Sequence, residues 1–175
     1  MQIEVEKLNE QGEDFEKVYS PEEFSLEDDD AQLASAVRVN AHASRVRGEV
    51  LLHGDIDTAV ELHCDRCLAR VAQPVKIDFK AELGTDEGSV VEATALHDAD
   101  MDFSTYDGEA INLDEIVREQ ILLALPARQL CADDCRGLCP TCGANLNEQA
   151  CNCKRHETDP RWSALAELKK VNGQS

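Results

Sequence analysis

Aromatic side chains are scarce in this chain: one Trp, two Tyr and four Phe among 175 residues. That shortage argues for a modest sheet-and-helix core, helped by cross-links or metal, over one large core. Positive charge is also in short supply, with 17 Lys and Arg against 36 Asp and Glu and a formal net charge of -19. Binding of nucleic acid across the whole surface is disfavoured, because such affinity comes largely from Lys and Arg displacing counterions. No apolar run approaches the roughly 20 residues that span a bilayer, so no membrane role is expected. The first 30 residues are polar and acidic, not basic-then-apolar. This speaks against a secretory signal or an Arg-rich transit peptide and for a cytoplasmic chain. A Gly-rich phosphate loop and a Ser/His/Asp arrangement are both missing, so the chain does not read as an enzyme and no catalytic residue is assigned.

What charge there is lies unevenly. Residues 1–30 carry twelve acidic and two basic side chains, and residues 84–125 carry eleven acidic and one basic. Between them, residues 31–83 hold seven of each sign, and residues 126–175 hold six acidic and seven basic. Two acidic blocks therefore flank a neutral region. They serve solubility, and they also suit a basic protein partner.

Cysteine is the residue in excess. Six lie within the 23 residues Cys131-x3-Cys135-x3-Cys139-Pro-Thr-Cys142-Gly-x7-Cys151-x-Cys153, and two more form Cys64-x-x-Cys67 far upstream. In a cytoplasmic chain thiols stay reduced, so an even count reads as metal ligation before disulfides. Tetrahedral zinc takes four thiolates, and paired cysteines at short spacing supply two each. Cys139-Pro-Thr-Cys142-Gly143 is the sharpest signal, since Gly after the second Cys suits the positive φ of a closing knuckle. The spacing assigns Cys139, Cys142, Cys151 and Cys153 to one site, with His156 as a substitute for Cys151 or Cys153. Cys131 and Cys135 then join Cys64 and Cys67 in a second, pinning the sheet to the helix described below. The plainer alternative makes Cys64 and Cys131 buried small hydrophobes. One or two structural zinc ions are expected, and without them residues 131–158 should be disordered.

The clearest periodicity runs from Ala34 to Leu83. Val37, Val39, Ala41 and Ala43 alternate with polar residues; so do Val50 and Leu52, then Ile56 to Cys64, then Val75 to Leu83. Period-two alternation marks half-buried strands, giving an antiparallel meander of four to five strands. In this register Cys64 faces the core and His63 faces water, which makes His63 the weaker ligand. Met1 to Leu8 suggests a short strand. Residues 9–30 read as a mobile acidic connection with a turn at Ser20-Pro21, touching the core through Phe15, Tyr19 and Phe24. Phe103–Tyr106 and Glu109–Asn112 suggest a hairpin around Asp107-Gly108. Asn112 caps a helix, with Glu115 in capping-box position and Pro126 closing it. Leu113, Ile116, Val117, Ile121, Ala124 and Leu125 form its apolar stripe, and the run Ile121–Leu125 predicts last turns buried nearly all round. Asp159-Pro160 starts a terminal helix carrying Trp162, Leu165 and Leu168. The expected fold class is α+β: an antiparallel meander packed by one main helix, with a cysteine-rich zinc-knuckle module and a short terminal helix. Residues 1–126 form the α+β domain, with acidic segments at 9–30 and 84–112, and residues 127–175 the metal-binding module.

Several of these stretches together resemble a known family. They are Cys64-x-x-Cys67-Leu68, the acidic linker, the helix ending Ile121-Leu-Leu-Ala-Leu-Pro126, Cys135-Arg-Gly-Leu-Cys139-Pro-Thr-Cys142-Gly-Ala-Asn-Leu-Asn147, and Asp159-Pro-Arg-Trp162. The chain resembles the YceD family, whose members are called large ribosomal RNA subunit accumulation proteins. The resemblance implies a non-enzymatic factor affecting accumulation or processing of large-subunit (23S) ribosomal RNA; the cysteine module varies within the family. With the charge pattern, it suggests an acidic adaptor for a basic large-subunit ribosomal protein or assembly factor, touching ribosomal RNA at most indirectly or through the near-neutral cysteine module. The alternatives are a zinc-dependent RNA-processing enzyme and a general acidic, chaperone-like binder.

Overall fold

Alternating apolar residues dictate most of the architecture. A computed structural model of the chain describes residues 1–85, 103–106 and 109–153. These divide into two compact units: Met1–Cys64 with Ala69–Cys131, and Asp65–Leu68 with the chain from Ala132 onward. The acidic stretch 86–102, the Asp107-Gly108 pair, His156 and the expected helix from Asp159 lie outside the described residues.

In the first unit, β4 (Val37–Val46), β5 (Glu49–His63) and β6 (Arg70–Thr85) make a continuous antiparallel meander. Val37, Val39, Ala41, Ala43, Val50, Leu52, Ile56, Val60, Val75, Phe79 and Leu83 line its buried face. The two runs expected on either side of Gly54 are one strand. Gly54 stands opposite Ala41, and a methyl added there would lie 2.1 Å from the Asn40 carbonyl oxygen. Glycine therefore marks a close backbone approach inside β5, and not a break. A short strand, β3 (Gln32–Leu33), also pairs with β5. Between β3 and β4 the Ser35 hydroxyl accepts from the Ala59 N–H at 2.8 Å, which satisfies a donor that the interrupted ladder would leave open.

Residues 9–30 depart from the expectation of a mobile connection. Glu13–Tyr19 forms strand β2, paired along its whole length with β4. The turn at Ser20-Pro21 is present, with Glu23 and Phe24 N–H groups bonded to the Ser20 carbonyl. Tyr19 and Phe24 are buried and Phe15 half-buried, and the Tyr19 hydroxyl donates to Asp114 Oδ1 at 2.5 Å.

The expected hairpin at 103–112 does not form. β7 (Phe103–Tyr106) lies parallel to the end of β6, so the sheet is not wholly antiparallel, while β8 (Ala110–Asn112) pairs with β1 (Gln2–Glu4) in a separate two-stranded ribbon. A single 3-10 turn, Val5–Lys7, follows β1. Helix α1 (Leu113–Ala124) begins where Asn112 Oδ1 accepts from the Asp114 N–H, and it packs against β6 and β1. Leu113, Val117 and Ile121 are buried at spacing four, one inward stripe of the helix. Its last turn is not buried all round: Leu123 is 72% exposed and Ala124 is also exposed. The α+β class stands, with one main helix. Among the described residues no helix is long and apolar enough to cross a membrane.

Among its described residues the second unit has little regular structure, a single bridge between Leu138 and Asn145. Among its described residues, the buried hydrophobic side chains are all cysteines: Cys67, Cys135 and Cys139.

Candidate metal centres

Each Cys-x-x-Cys pair sits on a turn of the same construction. At the first, the Cys64 N–H bonds the Ala69 carbonyl at 2.8 Å, and Leu68 takes a φ of 59°. At the second, the Cys139 N–H bonds the Ala144 carbonyl at 2.8 Å, and Gly143 takes a φ of 72°. In both, the residue after the second cysteine is left-handed, which reverses the chain and turns two sulfurs the same way. Glycine adopts that conformation freely; leucine does so at a cost of roughly 1 kcal/mol.

The structure gathers the eight cysteines into two groups of four, Cys64, Cys67, Cys131 and Cys135, and Cys139, Cys142, Cys151 and Cys153. Within each group the sulfurs all lie within 4.8 Å of one another. A zinc ion with bonds of about 2.3 Å to sulfur sets tetrahedral edges of about 3.8 Å, so both groups fit that ion with small adjustments. Cys64 is fully buried, as the strand register requires, whereas Cys131 is exposed and is no buried hydrophobe. His63 is exposed and belongs to neither group.

Cys139, Cys151 and Cys153 titrate apart. Backbone N–H groups of Cys142 and Thr141 and the Cys151 thiol donate toward Cys139 sulfur and pull its pKa down to about 6. For Cys151 a backbone bond from Cys153 favours ionisation, but hydrogen bonding to Cys139, desolvation and the nearby sulfurs outweigh it and hold the thiol above its ordinary value. Cys153 is pushed up to about 12 by its hydrogen bond to Cys142, by desolvation and by its hydrogen bond to Cys139. The Cys139 thiolate is thus welcomed, and ionisation of Cys151 and Cys153 beside it is resisted. A divalent cation removes that resistance. All four donors are sulfur, a set that suits zinc held for structure and closed to substrate.

Two polar residues that the spacing of cysteines could not point to support the second unit. Arg66 lies inside the first knuckle; its guanidinium donates to the Cys135 carbonyl at 2.7 Å, and its own carbonyl accepts from the Leu138 N–H at 3.0 Å. Asn147 accepts from the Arg136 N–H at 2.8 Å and donates to Cys135 sulfur at 3.3 Å. Neither residue type is a usual zinc ligand, so a search for zinc ligands passes over both.

The YceD family model, described as large ribosomal RNA subunit accumulation protein YceD, matches residues 52–169. The chain belongs to the YceD family. All eight cysteines fall inside the matched span. A maize relative, "Large ribosomal RNA subunit accumulation protein YCED homolog 1, chloroplastic", is 32% identical over 155 residues, covering 74% of this chain and 53% of its own length. An uncharacterized protein of Mycobacterium tuberculosis is 30% identical over 152 residues, covering 86% of this chain and 70% of its own. An uncharacterized Bacillus subtilis protein, YlbN, is 25% identical over 173 residues, covering 98% of this chain and 96% of its own. This YceD chain thus spans about half the length of the maize protein. No solved structure matches it.

Proposed function

We propose that this YceD chain is a non-enzymatic cytoplasmic factor that promotes accumulation or processing of large-subunit ribosomal RNA. In this reading it acts as an acidic adaptor for a basic large-subunit ribosomal protein or assembly factor, and its cysteine groups hold two structural zinc ions. Family membership supports the link to ribosomal RNA. The observation that carries the structural role of the cysteines is the make-up of the second unit, whose buried hydrophobic side chains are cysteines alone among the described residues. The described residues of this unit have no apolar core to hold them, and structural zinc contributes on the order of 10–16 kcal/mol in small peptides. The acidic blocks supply the partner preference, since carboxylates repel phosphate and attract Lys-rich and Arg-rich protein surfaces.

The test is a pull-down of the tagged chain from cells at moderate salt, with and without a zinc chelator. Recovery of large-subunit proteins or precursor RNA, lost on chelation, is the expected result. Recovery of neither sinks the ribosomal reading. A broad spectrum of clients released by salt would favour a general acidic binder, and chelator-sensitive cleavage of precursor RNA by the pure chain would establish an enzyme.

A further inference from the structure

The side-chain amide of Asn147 is held on all sides. Its Oδ1 accepts from the Arg136 N–H at 2.8 Å; one Nδ2 hydrogen goes to Asn145 Oδ1 at 3.0 Å and the other to Cys135 sulfur at 3.3 Å. The first two bonds decide which end of the amide is nitrogen, because a flip would set donor against donor at Arg136 and acceptor against acceptor at Asn145. Asn145 is fixed in turn: its Oδ1 also accepts from the Asn147 N–H at 3.1 Å, and its Nδ2 donates to Glu148 at 2.7 Å. The turn 145–148 therefore presents a rigid N–H to a buried sulfur. A hydrogen bond to the charged form of a group favours that form, and such donors behind a metal ligand fix its direction and moderate its charge.

We infer that Asn147 is a positioning residue for Cys135, setting the direction of its thiolate toward a bound metal ion. The inference rests on the zinc reading above. It also makes the turn that follows the Cys139 knuckle a determinant of the other cysteine group.

The test uses the full chain loaded with zinc, and separately with cobalt, whose thiolate charge-transfer bands report sulfur basicity. Asn147→Asp keeps an acceptor for Arg136 and removes the N–H from Cys135; Asn147→Leu removes both. Each is expected to weaken one of two bound metals by about 10–100-fold in chelator competition, to leave the other unchanged, and to shift the cobalt charge-transfer bands. Glu148→Ala loosens the same turn but leaves the Asn147 N–H in place for the sulfur, so its effect on bands and affinity should be smaller than that of either Asn147 variant. If Glu148→Ala reproduces the Asn147 variants, the role is merely structural and the inference falls. It also falls if wild type binds two metals and Asn147→Asp and Asn147→Leu match it in affinity and spectrum. A wild-type chain that binds no metal overturns the zinc reading itself, and this inference with it.

Discussion

Gly54 and Gly137 are two positions where a single added methyl group would press on neighbouring backbone. At Gly54 the added carbon would meet the Asn40 carbonyl oxygen at 2.1 Å and Ala41 Cα at 2.8 Å, both backbone atoms of the neighbouring strand. Backbone cannot step aside as a flexible side chain does, so β4 and β5 must separate inside their ladder. Gly54→Ala is expected to cost about 1–3 kcal/mol, the range of core overpacking. Denaturant unfolding checks it, and an unchanged midpoint would mean that the two strands can part without loss. Gly137 differs in kind: its φ is 73°, and an added methyl would lie 2.9 Å from the Arg66 carbonyl oxygen, the acceptor for Leu138. Gly137→Ala is expected to cost about 1–2 kcal/mol for the left-handed backbone. Hydrogen exchange should show the loss in amides 135–147 and leave β4 and β5 protected.

At the scale of elements, the proposed metal ties the second unit to pH. Cys139 is ionised above about pH 6, whereas Cys153, pushed up to about 12, and Cys151, also raised, keep their protons at neutral pH. Metal binding must expel those protons, so affinity rises with pH and falls as the solution is acidified. Titration with zinc in weakly buffered solution should release acid, and a chelator should win more easily at pH 6 than at pH 8. Binding without proton release would contradict this arrangement. The strands with one wet face were legible in the sequence because Val37 to Leu83 alternate so cleanly. β2 was not: Glu13 to Val18 offers no apolar alternation, and as an edge strand it buries only Tyr19 fully. Nor did the pattern reveal that Ala110–Asn112 pairs with β1, since that partner lies a hundred residues earlier and contributes three residues. For the helix, counting apolar residues overstated burial: Leu123 lies off the stripe of Leu113, Val117 and Ile121. Of the candidate site, spacing suggested how the cysteines group. Arg66 and Asn147 carried no such mark, because their roles depend on which carbonyl and which sulfur the fold places beside them.

For the whole molecule the governing quantity is charge. Part of the first acidic block has structural work: Glu27 pairs with Arg118 at 3.1 Å, and Asp28 Oδ1 accepts from the Asp30 and Ala31 N–H groups. Glu22, Asp29 and Asp30 are exposed, and their loss should leave folding within about 0.5 kcal/mol of wild type. Neutralising all three (Glu22→Gln, Asp29→Asn, Asp30→Asn) therefore separates attraction from stability. If the block captures a basic partner, the triple variant should bind the partner recovered by pull-down more slowly, and its affinity should depend less on salt. The comparison is best made between 0.05 and 0.15 M salt, where the screening length falls from about 14 to about 8 Å and exposed charges lose most of their reach. Association kinetics at the two salt concentrations give the answer. Equal salt dependence for wild type and variant would mean that this block serves solubility alone, and the partner would then have to be sought on another surface.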